Sequence, residues 1–238
     1  MIKLSKRLKE IADFIPRTSR LADIGSDHAY LPIYLVEQGK IDYAVAGEVA
    51  TGPLRHARKE VTSRGLEDTI QIRLGDGLDV IERADDIDHV VIAGMGGLLI
   101  ASILERGFEN KKIARGQKFV LQPNNEEPHL RRFLLEKQFE ILQESILFEN
   151  NHFYEIIVAE YQGGQEKEAW SEEELLFGRF VEEADPQTFK EKWLDEKRKI
   201  ESIITSLEHS KENKQDKLRE FQDKINLIEE RLHDTHPS

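Results

Sequence analysis

The stretch DIGSDHAYLP, residues 23–32, sets Asp27, His28 and Tyr30 directly after an apolar run that ends at Gly25. A carboxylate, an imidazole and a phenol can balance an ammonium group, wall a polar pocket and stack on a ring. A dinucleotide-binding loop would carry two further glycines here, so that bare backbone could approach a pyrophosphate. Those glycines are missing, so the loop suits a nucleoside ligand without linked phosphates. Other suitable groups follow at regular intervals. Glu48, 23 residues after Gly25, stands where a carboxylate accepts hydrogen bonds from ribose hydroxyls. Asp76, followed by Gly77, offers an acceptor to an adenine amino group. Gly94-Met95-Gly96-Gly97 brings no side-chain acceptor, but its glycines let a substrate base come close.

A ligand with an adenosine half, an amino-acid zwitterion and a sulfonium meets this set. S-adenosylmethionine is such a ligand, and S-adenosylhomocysteine is what remains after its methyl group leaves. Asp23 or Asp27 can balance its ammonium; Gly25, His28, Gly94 and Met95 complete the expected pocket. Glu48 alone does not separate this cofactor from NAD. The histidines show no ligand spacing and the chain has no cysteine, so no metal is expected.

These residues need a frame. Short apolar runs at 20–24, 43–47, 70–74, 89–93 and 118–122 alternate with helical patterns over 51–65, 97–106 and 126–137. That alternation predicts parallel βαβ units and a sheet covered on both faces, with ligands at the carboxyl ends of the strands. Residues 139–148 and 153–161 read as two strands joined by ENNH, an antiparallel hairpin at the sheet edge. Ahead of the sheet, Leu4, Leu8, Ile11 and Ile15 mark a short amphipathic helix that Pro16 ends.

The polar break GGQEKE at 163–168 predicts a boundary between a domain over 1–162 and a helical one over 163–238. Beyond it, Phe189, Trp193, Ile200, Ile203 and Leu207 form one seam, and Leu218, Phe221, Ile225, Ile228 and Leu232 a second. Two seams separated by HSKENKQ predict an antiparallel coiled-coil hairpin. Trp170 and Trp193 are expected to pack within this tail.

The 238 residues carry a net charge of −12, with 39% hydrophobic and 34% charged side chains. No secretory signal and no run of membrane-spanning length is visible, so a cytoplasmic protein is expected. The acidic average hides a basic start. Residues 1–20 hold Lys3, Lys6, Lys9, Arg7, Arg17 and Arg20 against two acidic residues. A solvated helix face explains these cations; so does a local patch for RNA phosphates.

The opening loop, Glu48, the Gly-Asp-Gly turn and the terminal hairpin together resemble the class I S-adenosylmethionine-dependent methyltransferases, with their Rossmann-like sheet. More narrowly, DIGSDHAYLP, AGMGG (93–97) and LQPN (121–124) resemble the bacterial tRNA (adenine-22-N1)-methyltransferases, in which a class I domain precedes a C-terminal coiled coil. The likeness spans essentially the whole chain. It implies methyl transfer to N1 of a tRNA adenine, with tRNA as partner; no obligatory protein partner is evident in the sequence.

Neutral N1 has a free lone pair, so that reaction needs in-line positioning more than a base. Asp27 then contacts the cofactor ammonium or the target amino group, unless it only caps the following helix. Tyr30 stacks on a swung-out base, bonds the cofactor carboxylate, or simply packs. Gln122 and Asn124 can hydrogen-bond the adenine edge; a strand-end turn and helix cap is the plainer reading. Lys3, Lys6, Arg7, Arg17, Arg20, Arg131 and Arg132 are the expected phosphate contacts. Competing readings are a small-molecule methyltransferase, which needs neither the basic start nor the tail, a cofactor-binding coiled-coil protein without activity, and an NAD-dependent oxidoreductase, which the missing glycines disfavour.

Overall fold

The structure, a computed structural model, describes residues 2–164, 169–208 and 215–234. Seven strands form one sheet: β1 (Arg20–Ile24), β2 (Tyr43–Glu48), β3 (Ile70–Leu74), β4 (His89–Met95), β5 (Lys118–Pro123), β6 (Phe139–Glu149) and β7 (His152–Tyr161). Their order is β3-β2-β1-β4-β5-β7-β6. The first five are parallel; β7 runs antiparallel between β5 and β6. The expected edge hairpin is therefore present, and its tip lies at the carboxyl ends of the parallel strands.

Side-chain alternation explains why both faces of the central strands are apolar. Leu21, Ala44, Val91 and Val120 point into the core beneath α1 (Lys6–Asp13), α2 (Tyr30–Glu37) and α3 (Thr51–Ser63). Ala22, Val45, Val90, Ile92, Phe119 and Leu121 point into the other core, under α4 (Gly97–Glu109) and α5 (Glu127–Glu136). Ser5 caps α1 by accepting from the Leu8 N–H at 3.2 Å, which fixes where the basic helix starts.

Downstream lie α6 (Glu172–Phe177), α7 (Val181–Ala184), α8 (Pro186–Glu208) and α9 (Gln215–Asp234). The short α6 and α7 have too few residues for a periodic signal. α9 returns along α8: its Arg231 pairs with Glu182 at 2.7 Å, just ahead of α8, and Lys197 pairs with Glu229 at 2.6 Å. Phe177, Phe189, Trp193, Ile200, Ile225 and Ile228 fill the seam, together with Ile146 of β6. Ile203 faces outward and Ile204 takes its expected place in the seam, a one-residue shift in helical phase. Most of HSKENKQ and of the 163–168 break lie outside the described residues. Among the described residues no helix is long and apolar enough to cross a membrane.

Candidate functional site

Strand connections leave β1 in one direction toward β2 and β3, and resume at β4 in the other. The crevice between the tips of β1 and β4 is the topological switch point, where open α/β sheets bind ligands. The chain is closely fitted there. Gly25 has a φ of +71°, and a Cβ on it would lie 2.3 Å from the Met95 side chain. The loop after β1 and the tip of β4 thus touch.

Two buried carboxylates flank the crevice. Asp23 and Glu48 are 7% and 8% exposed. Burial pushes the Asp23 carboxyl up to about 6, with Glu48 adding to the rise and a hydrogen bond from the Ser26 hydroxyl opposing it. The Glu48 carboxylate accepts no hydrogen bond among the described residues. Its oxygens are not among the polar atoms sealed from solvent, so they are open to a donor from a ligand. An ammonium would suit Asp23, and ribose hydroxyls would suit Glu48. Val49 and Leu74, 68% and 53% exposed, leave apolar surface next to Glu48 that a purine can cover. These residues fit S-adenosylmethionine. Asp76 already receives a bidentate pair from Arg106, at 2.6 and 2.9 Å. Each of its oxygens keeps a lone pair for an adenine amino group, and Arg106 orients them. Gly77 has a φ of +59° and leaves no room for a side chain against Ile103.

The loop after β1 is strained. His28 and Ala29 both have positive φ, 61° and 57°, at about 1–3 kcal/mol each for non-glycine residues. Asp27, just ahead of them, faces outward: its side chain is 77% exposed and lies 3.3 Å from His28 Nε2. It does not cap α2, whose N-cap is Ala29 without a side-chain bond. Tyr30 is 37% exposed and stacks on His28, which stacks in turn on His56 of α3.

At the tips of β4 and β5 the structure corrects an expectation. Gln122 is fully buried. Its Oε1 accepts from the Gly94 N–H at 3.0 Å and from the Arg7 guanidinium, and its Nε2 donates to Pro123 O and Asn124 Oδ1. No capacity is left for a substrate, so Gln122 is a positioning residue. Asn124 is exposed, donates to Gly94 O at 2.8 Å, and retains one N–H.

The basic residues also part company. Arg131 is fully buried between Glu144 and Glu155, so it is not a phosphate contact; those two carboxylates hold its guanidinium charged against the cost of burial. Arg17 and Arg20 sit at the amino end of β1, away from the crevice, bonded to Gly39 O and Asp85 O. Lys6 and Arg7 stand at the carboxyl end, their N–H groups held by Glu149 at 2.7 and 3.2 Å. Lys3 lies in the segment ahead of α1, and Arg132 pairs with Glu172 at 2.5 Å.

The model of the TrmK family, described as tRNA (adenine(22)-N(1))-methyltransferase, matches residues 21–230. The chain belongs to this family. The Bacillus subtilis tRNA (adenine(22)-N(1))-methyltransferase is 40% identical over 96% of this chain and 97% of its own length. A Streptococcus pneumoniae putative tRNA (m1A22) methyltransferase, solved with S-adenosyl-L-methionine, is 41% identical with a TM-score of 0.86, covering 96% and 99%. The Mycoplasma capricolum TrmK in complex with S-adenosyl-homocysteine is 28% identical with a TM-score of 0.82, covering 97% and 98%. Arg106, paired with Asp76, and His56, stacked on His28, are neighbours of the candidate site that sequence reasoning missed. Neither sits on a strand tip, and only the packing of α3 and α4 brings them there. Among the described residues no group of histidines and carboxylates is placed to hold a metal.

Proposed function

We propose that this chain transfers the methyl group of S-adenosylmethionine to N1 of adenine 22 in tRNA, with the roles below. Its family membership supplies the reaction class. The observation that carries the site is the buried Asp23–Glu48 pair facing a crevice with an unpartnered carboxylate. When bound, the cofactor supplies an electrophilic methyl group on a sulfonium. Asp23 balances the ammonium, Glu48 takes the ribose hydroxyls, and Asp76 takes the adenine amino group; Gly25, His28, Gly77, Gly94 and Met95 shape the walls.

The target base is swung out over the Gly94–Gly97 backbone, because its reactive edge is otherwise occupied in a folded RNA. Asn124 offers its remaining N–H to that base. Asp27 accepts from the exocyclic amino group. As N1 becomes alkylated, positive charge spreads toward that amino group, so the carboxylate bonds more strongly in the transition state than before it. Lys6 and Arg7 stand by the crevice and keep N–H groups for phosphates beyond their contacts with Phe148 O and Gln122, and Arg132, paired with Glu172, is a further phosphate contact. Residues 1–162 act as the catalytic domain and 163–238 as a helical arm, and the enzyme works in the cytoplasm.

Labelled methyl donor with unmodified tRNA, followed by nucleoside mapping, tests this reading. Label in 1-methyladenosine at position 22 supports it; no label in RNA would favour a small-molecule substrate. Asp27→Ala should lower the rate of transfer by about 10²-fold or more while thermal unfolding stays unchanged. Full activity would remove Asp27 from the mechanism.

A further inference from the structure

Of the N-terminal cations only Lys6 and Arg7 stand by the crevice, and each already spends a side-chain hydrogen bond within the protein, on Phe148 O and Gln122 Oε1. α3 carries a better set. Leu54, Ala57 and Val61 face the core. Arg55, Arg58 and Lys59 lie on the opposite face, all exposed, with the i, i+3, i+4 spacing that aligns side chains along a helix. Among the described residues none of the three forms an ion pair or hydrogen bond through its side chain. The only acidic residue of α3, Glu60, is turned to Arg64 at 3.6 Å. On a chain of net charge −12, three unpaired cations in one stripe are an attraction for a polyanion.

The same helix contributes a ring. His56 is parallel to His28 within 3°, at 5.3 Å between centroids, and His28 to Tyr30 within 12°, at 5.1 Å. The column runs from α3 across the strained loop to the head of α2. It ends on the exposed Tyr30, beside Asp27. The Asp27 carboxylate stands 3.3 Å from His28 Nε2. Stacked rings beside unpaired cations match what unpaired RNA requires: a surface for base faces and neutralisation for the backbone.

We infer that Arg55, Arg58 and Lys59 of α3, with the Tyr30–His28–His56 ring column, form a docking face for tRNA that holds backbone phosphates on the helix and an unstacked base on the column. This rests on the reading that tRNA is the substrate.

The test uses the full chain and unmodified tRNA. R55E/R58E/K59E should weaken tRNA binding at least about tenfold, and flatten the dependence of log affinity on log salt by about two to three units. Calorimetric binding of S-adenosylhomocysteine should not change, which also reports that the fold is intact. A second reversal, K111E/R115E, alters exposed cations near the amino ends of β4 and β5 and should leave affinity and slope as they were. His56→Ala should raise KM for tRNA several-fold without changing KM for the cofactor, and His56→Phe should restore it, because any ring can stack. Wild-type affinity and slope in the α3 triple variant, alongside a wild-type enzyme that methylates tRNA, would overturn this face alone. An equal loss in both reversals would overturn it too, as a general charge effect. A wild-type enzyme that puts no methyl into tRNA would overturn the substrate reading, and this face with it.

Discussion

At the scale of single residues, the crevice is governed by carboxylates that the fold has removed from water. Asp23, at about 6, is well above its ordinary 3.8 because burial disfavours its charge. Between those two values the folded chain holds a proton that the unfolded chain has released, so this group lowers stability as pH rises through that window. A bound ammonium reverses the preference and favours the ionised form. Cofactor affinity should therefore rise with pH, by up to tenfold per unit below about 6, and level off above it. Titration calorimetry with S-adenosylhomocysteine across that range checks this, and Asp23→Asn should flatten the profile. Arg106 acts one step further out by orienting Asp76. Arg106→Ala should raise KM for S-adenosylmethionine about three- to tenfold, a cost of about 1 kcal/mol as for an exposed pair, with kcat little changed. A fall in kcat alone would mean that Arg106 serves the transfer step instead.

At the scale of elements, the site depends on how tightly strand tips and helix starts approach one another. Gln122 ties β5 to the Gly94 turn of β4 and to Arg7 of α1. α4 begins against the loop after β5: the Gly97 N–H donates to Asn125 O at 2.9 Å. A Cβ on Gly97 would stand 2.6 Å from Glu126 O and 2.8 Å from Asn125 O. Backbone atoms cannot swing aside as a flexible side chain can. Gly97→Ala should thus displace the loop carrying Asn124 and destabilise the chain by about 1–3 kcal/mol. Its kcat should fall further than its cofactor affinity, since Asp23 and Glu48 lie on β1 and β2. Steady-state kinetics with cofactor calorimetry separates these two effects.

At the scale of the whole molecule, the helical arm and the sheet share buried charges. Arg131 of α5 sits between Glu144 of β6 and Glu155 of β7, and Lys192 of α8 reaches Glu155 and, at 3.5 Å, Glu127 at the start of α5. Burial acts to raise the Glu155 carboxyl, yet Lys192 and Arg131 hold it below its ordinary range. Its stabilising contribution is present above the usual glutamate range and is lost as pH falls below it. Glu155→Ala leaves two buried cations short of a partner and should cost about 3–5 kcal/mol in denaturant unfolding. A loss below 1 kcal/mol would show that the cluster relaxes around the gap. Removing the arm to test RNA binding would uncover the same charges, so single-residue variants are the cleaner probe of its role.

Much of this protein is written in local pattern. Strand alternation, helix periodicity and the spacing of Gly25, Glu48 and Asp76 determined the doubly covered sheet, the edge hairpin and the end of the sheet at which the candidate site residues gather, because each depends on neighbours a few residues apart or on chain order. The motifs 23–32, 93–97 and 121–124 carried the family. Long-range packing decided the rest. A sequence shows that Arg131, Arg17 and Arg55 are cations; only the fold buries the first, sends the second to the far end of β1 and leaves the third exposed and unpaired. Likewise Gln122 has the chemistry to hold a base, but its hydrogen-bonding groups are consumed by Arg7, Gly94, Pro123 and Asn124. Exposure and hydrogen-bond satisfaction are sums over residues distant in the chain, and those sums exist only once the chain has closed on itself.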